Sequence, residues 1–336
     1  MKKKQILNVV VTGGCGFIGS KLINSLLARK GFKLRAFDNF SVGNIQNLGY
    51  RSVGLSPISA VKPSDWTNEL EVFEGDVTNA QELTNVLEGA DCVVHLAANT
   101  GVQPSISDPI ADATVNILGT LNVLEACRMN GLRRFVFASS GAPLGDQIPP
   151  LHEEMAPRPA SPYGASKMSG EGYCSAYYHA FGIETVALRF GNVYGPGSFV
   201  KESVIAKFIR NILSGEDIII YGNGSQTRDF VYIDDLTDAI YSSIVASNIG
   251  GEIFQIATRT ETTVSEIAQV IFAEFKKRGI YSRSKIKYRE LPKGDVKRNY
   301  SNTDKAKRIL NWSAQFDIDS GVAKTIEYFL FDVLEK

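Results

Sequence analysis

Histidine and cysteine are scarce, three and four residues in a chain of 336. The cysteines (Cys15, Cys92, Cys127 and Cys174) form no CxxC pair and have no histidine ladder beside them, which excludes a zinc-finger framework and a redox dithiol. Scattered thiols of this kind fit a reduced, cytoplasmic setting. His95, His152 and His179 stand too far apart in sequence to suggest a ligand set, so no metal is expected. Net charge is also missing, with 36 Lys+Arg against 36 Asp+Glu, and a basic groove for nucleic acid is unsupported. No run approaches the roughly 20 apolar residues a membrane-spanning helix needs. The basic start Met1-Lys2-Lys3-Lys4 could mimic a leader, but the apolar stretch behind it is interrupted at Asn8 and runs into Thr12-Gly13-Gly14, as a first strand would. A soluble protein without membrane partners is expected, and no internal repeat or low-complexity tract is present.

What is there is a large amount of core-forming material. A hydrophobic share of 44% excludes a mainly disordered chain, and the length suits one large domain or two intimate ones. Strand-like runs at Ile6 to Val11, Lys33 to Phe37, Glu71 to Phe73, Cys92 to Leu96, Arg134 to Ala138 and Thr185 to Arg189 alternate with helix-like segments. Runs apolar on both faces, separated in this way, predict a Rossmann-type doubly wound α/β fold around a parallel sheet. One connecting helix is signalled by Ile110, Ala113, Ile117, Leu121 and Leu124 at spacings of three and four, opened by Pro109 and followed by Gly131. Residues 1–190 are expected to form the dinucleotide-binding domain. Residues 191–336 are expected to supply a smaller, mixed α/β, mainly substrate-binding portion, with a return of the chain to the first domain near 230–258. Helices are expected near Ser203 to Leu213, Asp235 to Val245 and Gly321 to Leu334. The stretch Ser41 to Asn68 reads as a surface excursion.

The first chemical signal follows the first strand: Thr12-Gly13-Gly14-Cys15-Gly16-Phe17-Ile18-Gly19, then the helix-like Ser20 to Arg29. Gly13 and Gly14 would allow a tight turn, Gly16 would let backbone approach a pyrophosphate at the positive helix end, and Gly19 would let helix and sheet pack closely. Alone, this is any strand-to-helix turn. Asp38, at the end of the second strand about twenty residues on, strengthens it, because a carboxylate there accepts hydrogen bonds from adenosine ribose hydroxyls and repels a 2′-phosphate. The cofactor expected is therefore NAD rather than NADP.

A second signal is Ser161-Pro162-Tyr163-Gly164-Ala165-Ser166-Lys167, an N-cap, a proline for the first helical position, and Tyr and Lys on one helix face. A nearby ammonium, assisted by a nicotinamide cation, lowers a phenol's pKa from about 10 and makes a general base of it. A third lies at Ser139-Ser140-Gly141-Ala142, past the fifth strand, where open α/β sheets bind ligands. Each is commonplace in isolation, and the combination carries the reading.

Together these residues resemble the extended short-chain dehydrogenase/reductase family, and within it the NAD-dependent nucleotide-sugar epimerases and dehydratases. The resemblance spans nearly the whole chain. It runs from Val11 to Ser20 through Asp38-Asn39, Gly75-Asp76-Val77, His95-Leu96-Ala97-Ala98, Asn116, Ser139-Ser140, Tyr163 with Lys167, Arg189 to Pro196, Arg228-Asp229-Phe230-Val231 and Gly294-Asp295-Val296. It implies NAD held by Gly13, Gly16, Phe17, Ile18, Asp38 and Asn39, with Asp76 and Val77 at the adenine, and Leu96, Ala97, Ala98 and Asn116 along the dinucleotide path. Lys167 would also bond the nicotinamide ribose. Asn192 and Arg228 match positions that contact a UDP-sugar's diphosphate, Asp295 one near the uridine, and Asn299 (or, with a shifted alignment, Tyr300) the position that limits the room for a 2-substituent. The implied catalytic residues are Ser140, Tyr163 and Lys167. The implied reaction is 4-epimerisation of a UDP-hexose through a 4-keto sugar, with dehydratase or decarboxylase chemistry as the alternative. The resemblance also implies a homodimer through the segments Ile110 to Met129 and Tyr163 to Phe181.

The sequence departs from that pattern after Ser140. Related 4,6-dehydratases carry an Asp-Glu pair there and related decarboxylases a Glu in the same loop, whereas this chain has Gly141 and Ala142. Neither can move a proton, which favours epimerisation. The usual Val-Tyr-Gly that follows is replaced by Pro143-Leu144-Gly145.

Overall fold

The computed structural model of the chain describes residues 6–49, 55–56, 66, 68–290 and 296–334. Seven strands lead the main sheet: β1 (Leu7–Thr12), β2 (Phe32–Asp38), β3 (Leu55–Ser56), β4 (Leu70–Glu74), β5 (Cys92–His95), β6 (Arg134–Ser140) and β7 (Glu184–Phe190). With Glu252–Ile256 at one edge, the order is Glu252–Ile256, β7, β6, β5, β1, β2, β4, β3, and every neighbouring pair is parallel. Alternate residues feed the two faces. Val9 and Val11 enter one core cluster with Leu34, Val94 and Val136, while Val10 enters the other with Val93, Phe135 and Phe137. Both faces are therefore dry, which is why these strands read as unbroken apolar runs.

The helices are α1 (Phe17–Arg29), α2 (Ala80–Val86), α3 (Val102–Ser107), α4 (Pro109–Ala113), α5 (Thr120–Met129), α6 (Pro162–Phe181), α7 (Val204–Ser214), α8 (Ile233–Val245), α9 (Val264–Lys277), α10 (Asp304–Leu310) and α11 (Ile318–Leu334). Beyond β7 the chain comes back to the main sheet: α8 packs on α1, and Glu252–Ile256 pairs with β7. Beyond β7 the organisation is mixed, with α7, α9 and α11 packed together beside small strand pairs such as Asn192–Tyr194 with Phe230–Tyr232. From 41–68 the structure describes residues 41–49, with a 3-10 turn at Ile45–Leu48, then β3, Trp66 and Asn68; the rest of that expected excursion lies outside the described residues.

The helix expected from Pro109 onward differs from its periodicity. It is interrupted by a π turn at Thr114–Gly119, and Ile110 is 76% exposed while Asp112 and Asn116 are buried. The inward face here is polar because it backs onto the cleft rather than onto the sheet. Gly119 lies so close to Val77 that a Cβ would come within 2.8 Å of that side chain.

The sheet order reverses between β5 and β1, the switch point at which open α/β sheets leave a crevice. The C-terminal ends of β1, β2, β5, β6 and β7 bring Thr12, Asp38, His95, Ser140 and Phe190 to that rim.

Candidate active site

A cleft of about 490 Å³ opens at the switch point. Its floor is the glycine loop. Gly13 has φ +67°, and a Cβ on Gly19 would fall 2.2 Å from the Gly13 carbonyl oxygen, so neither tolerates a side chain. A Cβ on Gly16 would meet only that carbonyl, at 3.3 Å, which leaves its cleft side open to a ligand. Phe17 and Ile18 begin α1 here, with no acidic residue in its first turn to compete for an anion. Asp38 is 7% exposed and accepts the N–H groups of Cys15 and Phe40, each at 2.9 Å. It thus clamps the glycine loop. With roughly four acceptor positions on a carboxylate, it keeps capacity for ribose hydroxyls. These residues fit a dinucleotide.

Asn39, Val77, Leu96, Ala97 and Ala98 also line the cleft. Asp76 stands outside that lining and braces it. It accepts Asn39 Nδ2 at 2.8 Å and the Thr78 N–H and hydroxyl at 2.8 and 2.7 Å. Burial opposes its ionisation, but these donors outweigh burial and hold its pKa below the usual carboxylate value. Asn116 likewise lies behind the wall. Its amide exchanges both hydrogen bonds with the Asn99 backbone, accepting at 2.8 Å and donating at 2.9 Å, and also donates to Asp112 at 2.9 Å and Ser166 at 3.2 Å. Asn116 is not among the residues that line the cleft, and its amide is bonded within the protein. His95 is similar. Its ring bridges Thr12 at 2.7 Å and Thr120 at 3.0 Å, and burial depresses its pKa to about 3, so the ring is neutral.

The reactive end is formed by β6 and α6. Ser161 Oγ caps α6 by accepting Gly164 N–H at 3.1 Å, with Pro162 in the first turn, and this turn carries Tyr163 and Lys167 into the cleft. The two serines of β6 part ways. Ser139 donates to Glu171 at 2.5 Å behind the wall, and Ser140 is hydrogen-bonded to the Tyr163 side chain. Gly141 and Ala142 follow, and Leu144 is fully buried where the family pattern has an aromatic. Lys167 Nζ sits 6.0 Å from the Tyr163 ring centre, 4% exposed, and donates to the Ala138 carbonyl at 3.0 Å.

In the protein alone the phenol is not acidified. Burial raises the Tyr163 pKa to about 12, with the Ser140 bond opposing and Asp112 adding to the rise. Burial also lowers Lys167 to about 8, against the pull of Asp112, Cys174 and Glu171. The Tyr-Lys spacing thus does not activate the base by itself.

On the opposite side, the parallel pairing of Asn192 with Phe230 carries Asn192 close to Arg228. Arg228 Nη1 donates to the carbonyls of Thr227 and Val296 at 2.7 and 2.8 Å. Asn299 faces the loop after Ser140, its amide 3.5 Å from where a Gly141 side chain would begin. Asp295 lies outside the described residues. Among the described residues no group of three or more His, Cys, Asp or Glu could hold a metal ion, and no helix is long and apolar enough to cross a membrane.

Sequence reasoning assigned no role to Asp112, Glu171, Arg189 or Lys201. Arg189 could have been found: a charge inside a strand buried on both faces needs a counter-charge, and Glu171 follows Lys167 by one helical turn.

A phosphate loop, an acidic β2 terminus and a Ser-Tyr-Lys group around one crevice define a dinucleotide-dependent enzyme that works on an alcohol carbon. The chain belongs to the NAD-dependent epimerase/dehydratase family, whose model matches residues 9–257. It is 32% identical over 329 residues to a UDP-glucose 4-epimerase of Mycolicibacterium smegmatis, covering 96% of this chain and 98% of that one. Among solved structures it is similar to the UDP-glucose 4-epimerase of Thermotoga maritima with UDP-glucose (TM-score 0.86, 30% identity, 97% of this chain and 100% of that one). It is also similar to the UDP-N-acetylglucosamine 4-epimerase of Methanobrevibacter ruminantium in complex with UDP-N-acetylmuramic acid (TM-score 0.85, 29% identity, 98% and 100%).

Proposed function

We propose that the chain is an NAD-dependent 4-epimerase of a UDP-hexose that works through a transient 4-keto sugar. The observation that carries this choice within the family is the loop after Ser140. Gly141 and Ala142 occupy the positions where an eliminating or decarboxylating enzyme needs an acid and a base, and the group facing Gly141 is the amide of Asn299. A 4,6-dehydratase or uronate decarboxylase is the alternative, and this loop gives it no proton carrier.

When bound, NAD supplies the hydride acceptor, and later the donor, for the sugar C4. Tyr163 removes the proton of the 4-hydroxyl and returns one after the keto sugar has turned, with Ser140 bonded to the same oxygens. Lys167, buried beside the ring, favours the phenolate once the cofactor's charge offsets the burial that otherwise keeps the proton on Tyr163. Asn192 and Arg228 hold the diphosphate so that only the sugar rotates, and the guanidinium fork suits phosphate oxygens. Asn299 is smaller than tyrosine and leaves space for a 2-N-acetyl group, so UDP-GlcNAc and UDP-GalNAc are accepted alongside UDP-Glc and UDP-Gal.

A homodimer is supported by Leu118 and Ile110, exposed by 54% and 76%, beside the exposed small residues Gly172, Ala176 and Ala180 of α6. Such a face lets two helix pairs approach closely. Leu118→Glu should yield a monomer by light scattering. The buried, unpaired thiols suit the cytoplasm.

The test incubates the purified protein separately with UDP-Glc, UDP-GlcNAc and UDP-GlcA without added cofactor and follows the anomeric protons by NMR. Inversion at C4 is expected. A 4-keto-6-deoxy product or release of carbon dioxide would refute the assignment. Tyr163→Phe should retain NAD and lose turnover by about 10²- to 10⁴-fold or more.

A further inference from the structure

Lys201 lines the same cleft as Tyr163, Lys167 and Phe190, and its ammonium makes no hydrogen bond or ion pair among the described residues. Its backbone is fixed. The Lys201 N–H donates to Ser198 O at 2.9 Å, and the Arg210 guanidinium grips the carbonyls of both Phe199 and Lys201. Ser198, fully buried, closes the preceding turn by donating to Gly195 O at 2.6 Å. That turn hangs over the start of α1, where a Cβ on Gly197 would touch the Phe17 ring at 3.4 Å. The cation is thereby held in the wall that joins the phosphate loop to the reactive end.

No carboxylate among the described residues pairs with it. The adjacent Glu202 turns outward to Lys207 at 3.2 Å and Arg210 at 2.6 Å. Across the cleft, Asp38 takes the N–H groups of Cys15 and Phe40, Asp108 that of Ala111, and Asp112 the amide of Asn116. Burial alone shifts the Lys201 pKa, downward, with no charge among the described residues to restore it. A partly desolvated ammonium without a counter-charge is unfavourable, and an anionic ligand in the cleft removes that cost.

We infer that Lys201 is an anion-recognition residue of the cleft, whose ammonium pairs with a diphosphate oxygen of a bound nucleotide. This rests on the proposed function, which brings two diphosphates to the site, one in NAD and one in the UDP-sugar. Lys201→Met and Lys201→Arg separate the sources. For each variant, NAD content is measured after purification, UDP binding by calorimetry, KM and kcat with UDP-Glc and UDP-GlcA, and thermal midpoint as a check on folding. A charge-assisted hydrogen bond corresponds to a loss of about 10- to 100-fold in affinity for the methionine variant, largely restored by arginine. Loss of NAD with UDP affinity intact assigns the cation to the dinucleotide. A raised KM and UDP dissociation constant with NAD retained assigns it to the sugar nucleotide. Unchanged NAD content and UDP affinity would overturn the inference, as would a loss confined to UDP-GlcA, which places the cation on a sugar carboxylate. Because UDP and NAD binding are read without turnover, a wild-type protein that binds both but inverts nothing would sink the proposed reaction and leave Lys201 to be judged on binding alone.

Discussion

Replacing Glu171 should cost more stability than replacing Glu171 and Arg189 together. Both side chains are buried, 4% and 2% exposed. Arg189 Nε and Nη2 each donate to Glu171 at 2.8 Å, and Ser139 adds a third donor at 2.5 Å. Arg189 Nη1 has no partner even in the wild type, so the guanidinium is already under-satisfied. Glu171→Leu strands a buried cation and the Ser139 hydroxyl, and breaking such a pair costs about 3–5 kcal/mol. Arg189→Met strands a carboxylate, which can escape by taking up a proton, so its loss should shrink as pH falls. The double variant removes both charges from a close-packed interior and should cost no more than about 1 kcal/mol, since apolar replacement of buried pairs is often neutral. Urea titration of the three variants closes the cycle. A single-variant loss below that of the double variant, or a double-variant loss equal to the sum of the singles, would refute the reasoning. The double variant also frees Ser139 beside Ser140, so kcat should fall while KM holds.

Gly19→Ala puts a methyl group 2.2 Å from the Gly13 carbonyl oxygen and should lower both the thermal midpoint and the NAD content of purified protein. Lys167→Met removes a cation that burial has pushed to about 8 from 10.5. Below about pH 8 the wild type carries a charge it holds unfavourably, so the variant should be the more stable fold at pH 7. Its advantage should fade as pH rises toward 10.5, because there the unfolded wild type binds more protons than the folded form; stability curves at pH 7 and 10 check this, while turnover is lost. Asn299→Tyr should abolish turnover of UDP-GlcNAc and spare UDP-Glc, as compared by kcat/KM.

The sheet was legible where its central strands are buried on both faces, and not at the edge strand β3, whose Leu55 is half exposed. Val9, Val10 and Val11 serve two cores at once, and such runs stand out in any window. The phosphate loop was legible because Gly13, Gly14 and Gly19 are forced by contacts of 2–3 Å rather than by chance. Helix α9 was missed although Thr263 and Glu266 form a capping box ahead of an amphipathic run, a signal the sequence carries openly. The polar interior of the Pro109 segment was not legible. The apolar series is split, with Ile110 left outside while Leu124 enters the core, and Asn116 is held inward by Asn99 and Ser166, distant in the chain, with Asp112 bonded to it. The electrostatics were legible only in part. Spacing shows that Tyr163 and Lys167 share a face, but burial, which no spacing shows, raises the pKa of Tyr163 and lowers that of Lys167.

The central claim is that Tyr163 and NAD oxidise and re-reduce the same carbon inside one closed site. UDP-glucose deuterated at C4 tests it most directly. The account predicts UDP-galactose with the deuterium still at C4 and none released to water, measured by NMR and mass spectrometry at partial conversion. Epimerised product that has exchanged its label for solvent hydrogen would contradict it.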